Sequence, residues 1–177
     1  MDPVELSDER LLMRLPRSGD IDAVTEACQD PEIQRWIPVP VPYERHHGAE
    51  WVSQRPGLWA QDQELNWLVT DRRDGRVLGT VGLHARDESM REIGYWAAPW
   101  ARGRGVITDA ARLACRWGFE ALRLQRVEWW ATVGNWASRR VAEKVGFTVE
   151  GTCRARLLHR DARDDGWVGG LLPGDLR

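Results

Sequence analysis

Trp100-Ala101-Arg102-Gly103-Arg104-Gly105-Val106-Ile107-Thr108-Asp109-Ala110 is the stretch on which the reading of this chain turns. It follows a strand-like run, Glu92-Ile93-Gly94-Tyr95-Trp96-Ala97, ended by Pro99. It opens a helical pattern from about Arg104 to Leu122, with Ile107, Ala110 or Ala111, Ala114 and Trp117 on one face. Glycines let the backbone turn tightly and approach a ligand. A helix start presents unpaired N–H groups and about half a positive charge. Together they suit a pyrophosphate. No G-K-[ST] follows, so this is not a Walker loop. Counting G-x-G-x-x-G from Gly103 puts Thr108 where the third glycine of a dinucleotide fingerprint would stand. Taken alone, the stretch reads equally well as a glycine-rich helix start with no ligand.

Working outward, Arg126 to Thr132 reads as a strand. Asn135-Trp136-Ala137-Ser138-Arg139-Arg140-Val141-Ala142-Glu143-Lys144-Val145-Gly146-Phe147 comes after it, with a helix over Ala137 to Val145. One strand follows Gly146-Phe147, and the last spans Gly166 to Leu172. Upstream, Glu64 to Thr70 and Val77 to Leu83 are strands joined at the Asp74-Gly75 turn. Leu11 to Leu15 is a first strand. Ser18 and Asp20 are N-cap candidates for a helix through Ile21, Val24 and Ala27, and Pro31 to Trp36 is a short helix. Ile37-Pro38-Val39-Pro40-Val41-Pro42 is extended, since each proline lacks an N–H and restricts its predecessor. It serves as a rigid linker or as the wall of a substrate pocket. Tyr43 to Ala60 is helical, with an interruption near Pro56-Gly57. The order predicts a single mixed α/β domain over residues 1–177.

The two glycine-bearing segments together resemble the general-control-related N-acetyltransferase (GNAT) superfamily. Its loop pattern [RQ]-x-x-G-x-[GA] maps onto Arg102 to Ile107. Its pattern N-x-x-[SA]-x-x-[VL]-x-x-K-x-G-F maps onto Asn135 to Phe147, one helix and one strand downstream. Glu92-Ile93-Gly94-Tyr95-Trp96 and Glu143-Lys144-x-Gly146-Phe147 are similar to the ribosomal-protein N-terminal acetyltransferase (RimJ/RimL-like) branch. The resemblance covers about Leu11 to Leu172. It departs at Ile107, where Gly or Ala is usual, and at Ala142, where many relatives place a tyrosine acid.

The resemblance implies a mostly antiparallel sheet flanked by helices, in which the strand of Glu92 splays from that of Arg126. Acetyl-CoA, or another acyl-CoA, would lie in the split and pass its acyl group directly to a primary amine. The backbone of Tyr95, Trp96, Ala97 and Ala98 would pair with pantetheine amides as an added strand would and stabilise the oxyanion. Arg102 and Arg104 would flank the pyrophosphate, cradled by Gly103, Gly105, Val106, Ile107 and Thr108. Asn135 would hold the pantetheine arm or cap the helix. Ser138 would assist the leaving thiolate or face solvent. Glu92 is the candidate general base, or a strand glutamate paired with Arg91 or Arg86; His84 could serve instead. A catalytically silent acyl-CoA-sensing module is the alternative reading of the same fold.

Composition bounds these readings. The 177 residues are 42% apolar and 29% charged with net charge −2, a globular balance without the basic field of a dedicated nucleic-acid binder. No apolar run suits a membrane span or a signal peptide, which predicts a cytoplasmic protein, monomeric or homodimeric. Cys28, Cys115 and Cys153 form no C-x-x-C, and His46, His47, His84 and His159 have no ligand spacing, so no metal is expected. Cys28 and Cys115 read as core thiols, His46 and His47 as solvated. Lys144 is the one lysine among 25 basic residues, and tryptophan occurs 11 times. A lone Arg or Trp is therefore a weak signal here. The acceptor is expected to be an α-amine, on a protein N-terminus or a small amino compound.

Overall fold

The computed structural model describes residues 1–177. Eight strands form one sheet in the order β1-β2-β3-β4-β5-β6-β8-β7. They are β1 (Leu6–Ser7), β2 (Leu11–Arg14), β3 (Glu64–Asp71), β4 (Val77–Ala85), β5 (Met90–Ala97), β6 (Arg126–Thr132), β7 (Thr148–His159) and β8 (Ala162–Leu171). The helices are α1 (Ile21–Cys28), α2 (Pro31–Trp36), α3 (Arg45–Ala60), α4 (Val106–Ala121) and α5 (Trp136–Val145). Every neighbouring pair is antiparallel except β5 and β6, which α4 joins by the crossover that parallel strands require.

That parallel pair matches over Met90 to Ile93 and Arg126 to Trp129, and no further. Beyond it β5 stays with β4 while β6 stays with β8 out to Thr132 opposite Gly166. The sheet therefore opens between two strands that are each held from behind.

Alternation sorts the side chains of β3, β4 and β5 onto two faces. Leu65, Trp67, Val81, Leu83 and Ile93 are buried on the α4 side. α4 lies close because Ala110, Ala111, Ala114 and Gly118 give it a small-residue face; a Cβ on Gly118 would stand 2.9 Å from Leu124. Trp59 and Trp117 pack about Trp67, with ring centroids 4.9 and 5.4 Å from it. Trp59, Trp67 and Trp129 are core residues, as a tryptophan-rich composition allows. The other face carries Glu64, Asn66, Thr80, Gly82, His84, Glu92, Gly94 and Trp96. This second face looks toward α1 and α3.

Several local expectations are corrected. α3 runs unbroken through Pro56: the missing N–H removes one ladder bond, and burial of Val52, Arg55 and Trp59 along one side holds the helix together. Ser18 to Asp20 form a 3₁₀ turn before α1. Asp20 does not cap α1, because its carboxylate is taken by Arg14 at 2.8 and 2.9 Å and by the Arg17 N–H at 2.6 Å. α4 starts at Val106, two residues later than its pattern suggests, since Gly105 sits at φ +74°. β1 is too short for periodicity to show. β7 and β8 extend over the charged Arg154 to Asp165, where polar exposed residues carry no alternation.

Candidate active site

The opening between β5 and β6 is a cleft of about 860 Å³. Tyr95 to Ala97 line one wall, and Trp129 to Thr132 with α5 line the other. Ala98 N–H donates to Leu78 O at 2.9 Å, and Trp96 lies opposite Thr80. Alternation then turns the N–H and C=O groups of Tyr95 and Ala97 away from β4, into the cleft. The expected pairing edge is thus Tyr95 and Ala97. Trp96 contributes its side chain to the cleft. Ala98 is corrected: it is fully buried, its donor is spent on β4, and it is not a lining residue.

The cleft ends on the glycine loop. Gly103 and Gly105 both sit at φ +74°, and no heavy atom lies within 4 Å of the position a Cβ would take on either. The space above them is open. α4 has no side-chain cap, so the N–H groups of Val106, Ile107 and Thr108 lack helical acceptors. Ile107 does not crowd this space. Its Cδ1 lies 2.9 Å from a Cβ built on Gly79, so the side chain points down onto the sheet.

The flanking arginines differ from expectation. Arg102 lines the cleft but is paired with Asp30, the cap of α2, with Nη1 3.3 Å from Oδ2 and Nη2 on Oδ1. Burial would raise the Asp30 carboxyl, but Arg102 and the N–H groups of Ile33 and Glu32 together hold it below its ordinary value. Arg104 does not line the cleft; its carbonyl accepts from Arg10 at 3.2 Å. Two cations that sequence reasoning missed do line it, Arg140 and Lys144, one turn apart on α5. Neither side chain has a salt-bridge or hydrogen-bond partner. Their four-residue spacing was the available signal.

Asn135 caps α5: its Oδ1 accepts from Ser138 N at 3.1 Å. The residue also lines the cleft wall. Ser138 is no solvent-facing serine. Trp129 Nε1 donates to its Oγ at 3.0 Å, and that Oγ donates to Tyr95 Oη at 3.3 Å. Tyr95 in turn donates to the Ser138 carbonyl at 2.9 Å. Burial pushes the Tyr95 phenol up, so it stays protonated. Ala142 is fully buried behind this wall.

On the other face of β5 lies a second cavity of about 440 Å³. Its walls include Ile37, Pro38 and Val39 with Tyr43, Trp51 and Trp96. The proline-rich connector is therefore a pocket wall. The two cavities share Ile37, Pro38, Glu92, Gly94, Tyr95 and Trp96. Glu92 stands at this junction, and its Oε2 accepts from Arg86 Nε at 3.1 Å and from Nη2. The salt-bridged alternative and the junction position are thus both realised. Glu64 in the second cavity is held down to about 2 by His84 and, less strongly, by Arg55, against the opposing push of burial. Cys28 also lines it, and burial pushes that thiol up to about 12, which leaves it inert. His46 and His47 lie elsewhere, on the first turn of α3, where His47 Nδ1 accepts from Glu44 N at 3.0 Å. No group of three or more potential metal ligands occurs, and no helix is long and apolar enough to cross a membrane.

A splayed parallel pair, with unpaired strand backbone leading to an uncapped glycine-rich helix start, defines a class of α/β acyl-transfer domains. The profile of the acetyltransferase (GNAT) domain matches residues 10–148, and the chain belongs to that family. It is an N-acetyltransferase of GNAT type. A Bacillus subtilis protein with the provisional name ribosomal N-acetyltransferase YdaF is 44% identical over 94 residues. That match takes in 50% of this chain and 51% of the relative, about half its length. The ribosomal-protein-serine acetyltransferase of Escherichia coli is 30% identical over 136 residues, 60% of this chain and 75% of that one. An acetyltransferase (GNAT family) crystal structure from Bacillus anthracis superposes with TM-score 0.86 and 25% identity, covering 96% and 98% of the two chains.

Proposed function

We propose that this chain moves an acetyl group from acetyl-CoA to an α-amine, on a protein N-terminus or a small amino compound, within a ternary complex. The observation that carries the reading is the pairing of β5 with β6, which stops at Ile93 and Trp129 and leaves Tyr95 and Ala97 unpaired along a cleft leading to Gly105. Pantetheine amides complete that edge as an added strand would. The pyrophosphate sits on the N–H groups of Val106 to Thr108, and Arg140 and Lys144 supply charge that Arg102, tied to Asp30, does not.

The thioester then lies at the junction of the two cavities, and the amine enters from the second. Its nitrogen, once neutral, attacks the carbonyl carbon. The carbonyl electrons move to oxygen, where strand N–H groups receive them. Collapse breaks the C–S bond and forms the amide. The thiolate leaves toward Ser138, whose Oγ already accepts from Trp129, so its hydrogen is free to turn from Tyr95 to sulfur. Glu92, with one oxygen held by Arg86, draws the ammonium to the junction. The acceptor cavity is enclosed by aromatic and apolar walls over a carboxylate-bearing floor. It suits an amine attached to a compact apolar body. The names of the two relatives point to protein acceptors.

Ser138→Ala tests the leaving-group assignment. Thiols titrate near 8.5, so the departing sulfur needs little help. kcat should fall about tenfold, or ~1.4 kcal/mol, with acetyl-CoA affinity little changed. Steady-state rates beside a direct binding titration check this, and an unchanged kcat returns Ser138 to a packing role.

A further inference from the structure

We propose that His84 is the base that takes the proton from the acceptor amine, with Glu64 as its positioning residue. The inference rests on the acyl-transfer reading above and names a residue for it. Strand register sets Glu64, His84 and Glu92 directly opposite one another in a row across β3, β4 and β5, all on the acceptor face. The two carboxylates are not equivalent. Glu92 is turned toward Arg86. Glu64 is turned toward His84, with Oε1 3.8 Å from Nδ1. Glu64 Oε2 is already occupied, accepting from Arg55 Nη1 at 2.6 Å and Asn66 Nδ2 at 3.1 Å. The carboxylate is thereby fixed with its free oxygen facing the imidazole. A carboxylate beside Nδ1 holds the proton there and leaves Nε2 as the acceptor, and such contacts tighten in the reacting complex.

Nε2 is placed for this role. It lies 3.1 Å from the Cβ positions of both Gly82 and Gly94, so the ring overhangs two residues without side chains. Gly94 lines both cavities. The imidazole edge therefore reaches toward the point where amine and thioester meet. Its side chain is 31% exposed, open to an entering substrate. The charged or titratable groups around it are Glu64 on β3, Glu92 and Tyr95 on β5, Arg55 on α3, Cys28 on α1 and Tyr43 in the connector. Arg55 is spent on Glu64. The thiol and phenols are neutral at working pH. The proton leaves the ammonium nitrogen for Nε2, and the nitrogen lone pair it frees forms the new C–N bond.

The test is kcat against pH with acetyl-CoA and a peptide bearing a free N-terminus, for wild type and His84→Gln, Glu64→Gln and Glu92→Gln. Coenzyme A binding by thermal shift runs beside it. His84→Gln should lose roughly a hundredfold at pH 7, the low end for general-base catalysis. Its rate should no longer follow the wild-type limb and should rise only with the ionisation of the amine itself, at about pH 7.7–8.0. Glu64→Gln should lower kcat with little change in the peptide KM, because the imidazole loses the contact that keeps the proton on Nδ1 and Nε2 turned to the amine. A packing role for Glu64 would not split kcat from KM in this way. Glu92→Gln should raise the peptide KM and leave the limb in place. The coenzyme A shift should persist in all three. A limb that His84→Gln leaves at its wild-type pH and that Glu92→Gln displaces toward the amine's own ionisation would overturn the proposal and make Glu92 the base. A wild type that binds coenzyme A but acetylates no amine would overturn the transfer reading itself, and this assignment with it.

Discussion

Gly105→Asp is expected to abolish the rise in melting temperature that coenzyme A produces in the wild-type chain. A ligand bound only by the native state stabilises it by about 2.7 kcal/mol at a hundred times its Kd. For a domain of this size that is roughly 5–10 °C. Gly105 precedes the first turn of α4 at φ +74°, and its Cβ position points into open space. A side chain there meets no protein atom, so the variant loses little more than the cost of a left-handed residue, about 1–2 kcal/mol. Its carboxylate, however, occupies the region where the helix start would receive phosphate oxygens. Gly105→Asn supplies the control. It has nearly the same shape and tolerance of positive φ without the charge, and should retain part of the shift. A folded Gly105→Asp protein with an undiminished shift would remove the phosphate loop from the account.

A peptide with a free N-terminus should be acetylated far faster at pH 7 than a blocked peptide with one lysine. The attacking nitrogen must be neutral. An α-amine with pKa ~7.7–8.0 reaches that state for ~1–1.4 kcal/mol, whereas a lysine near 10.4 needs roughly 4.6 kcal/mol. The gap of about 3.4 kcal/mol corresponds to a difference on the order of a few hundredfold in kcat/KM. One imidazole over two glycines, beside carboxylates, suits the easier deprotonation. Above pH 8 the α-amine gains no more, while the lysine continues to gain, so the ratio should shrink. Matched peptides assayed from pH 6 to 9 measure it, and a preference for the lysine peptide at neutral pH would contradict the acceptor assignment.

The loop and cap proposed to hold coenzyme A were legible in the sequence because they are built from contiguous pieces. Gly103, Gly105 and the helix after them form one loop, and Asn135 and Ser138 lie within one turn. The acceptor side was not. Glu64, His84 and Glu92 meet only through strand register, and a slip of one residue would exchange the faces. The hairpin around Asp74-Gly75 contains such a slip: Thr70 pairs with Val77, while Val69 pairs with Gly79, leaving Leu78 as an extra residue. Counted straight from the turn, Glu64 would fall opposite Leu83. The irregularity puts it opposite His84 instead. The tie of Arg102 to Asp30 was hidden for a similar reason, since Asp30 lies 72 residues away in the chain and comes near only in the fold.

The central claim is that the cleft delivers acetyl groups to amines. It is tested most directly by following coenzyme A thiol release and peptide acetylation in one reaction, with acetyl-CoA and a peptide carrying a free N-terminus. One acetyl group should appear on the N-terminus for each thiol released, and neither product should form with Gly105→Asp. Thermal stabilisation by acetyl-CoA without acetylation of any amine in a panel of peptides and small amino compounds would contradict it, and would leave a domain that binds acyl-CoA and transfers nothing.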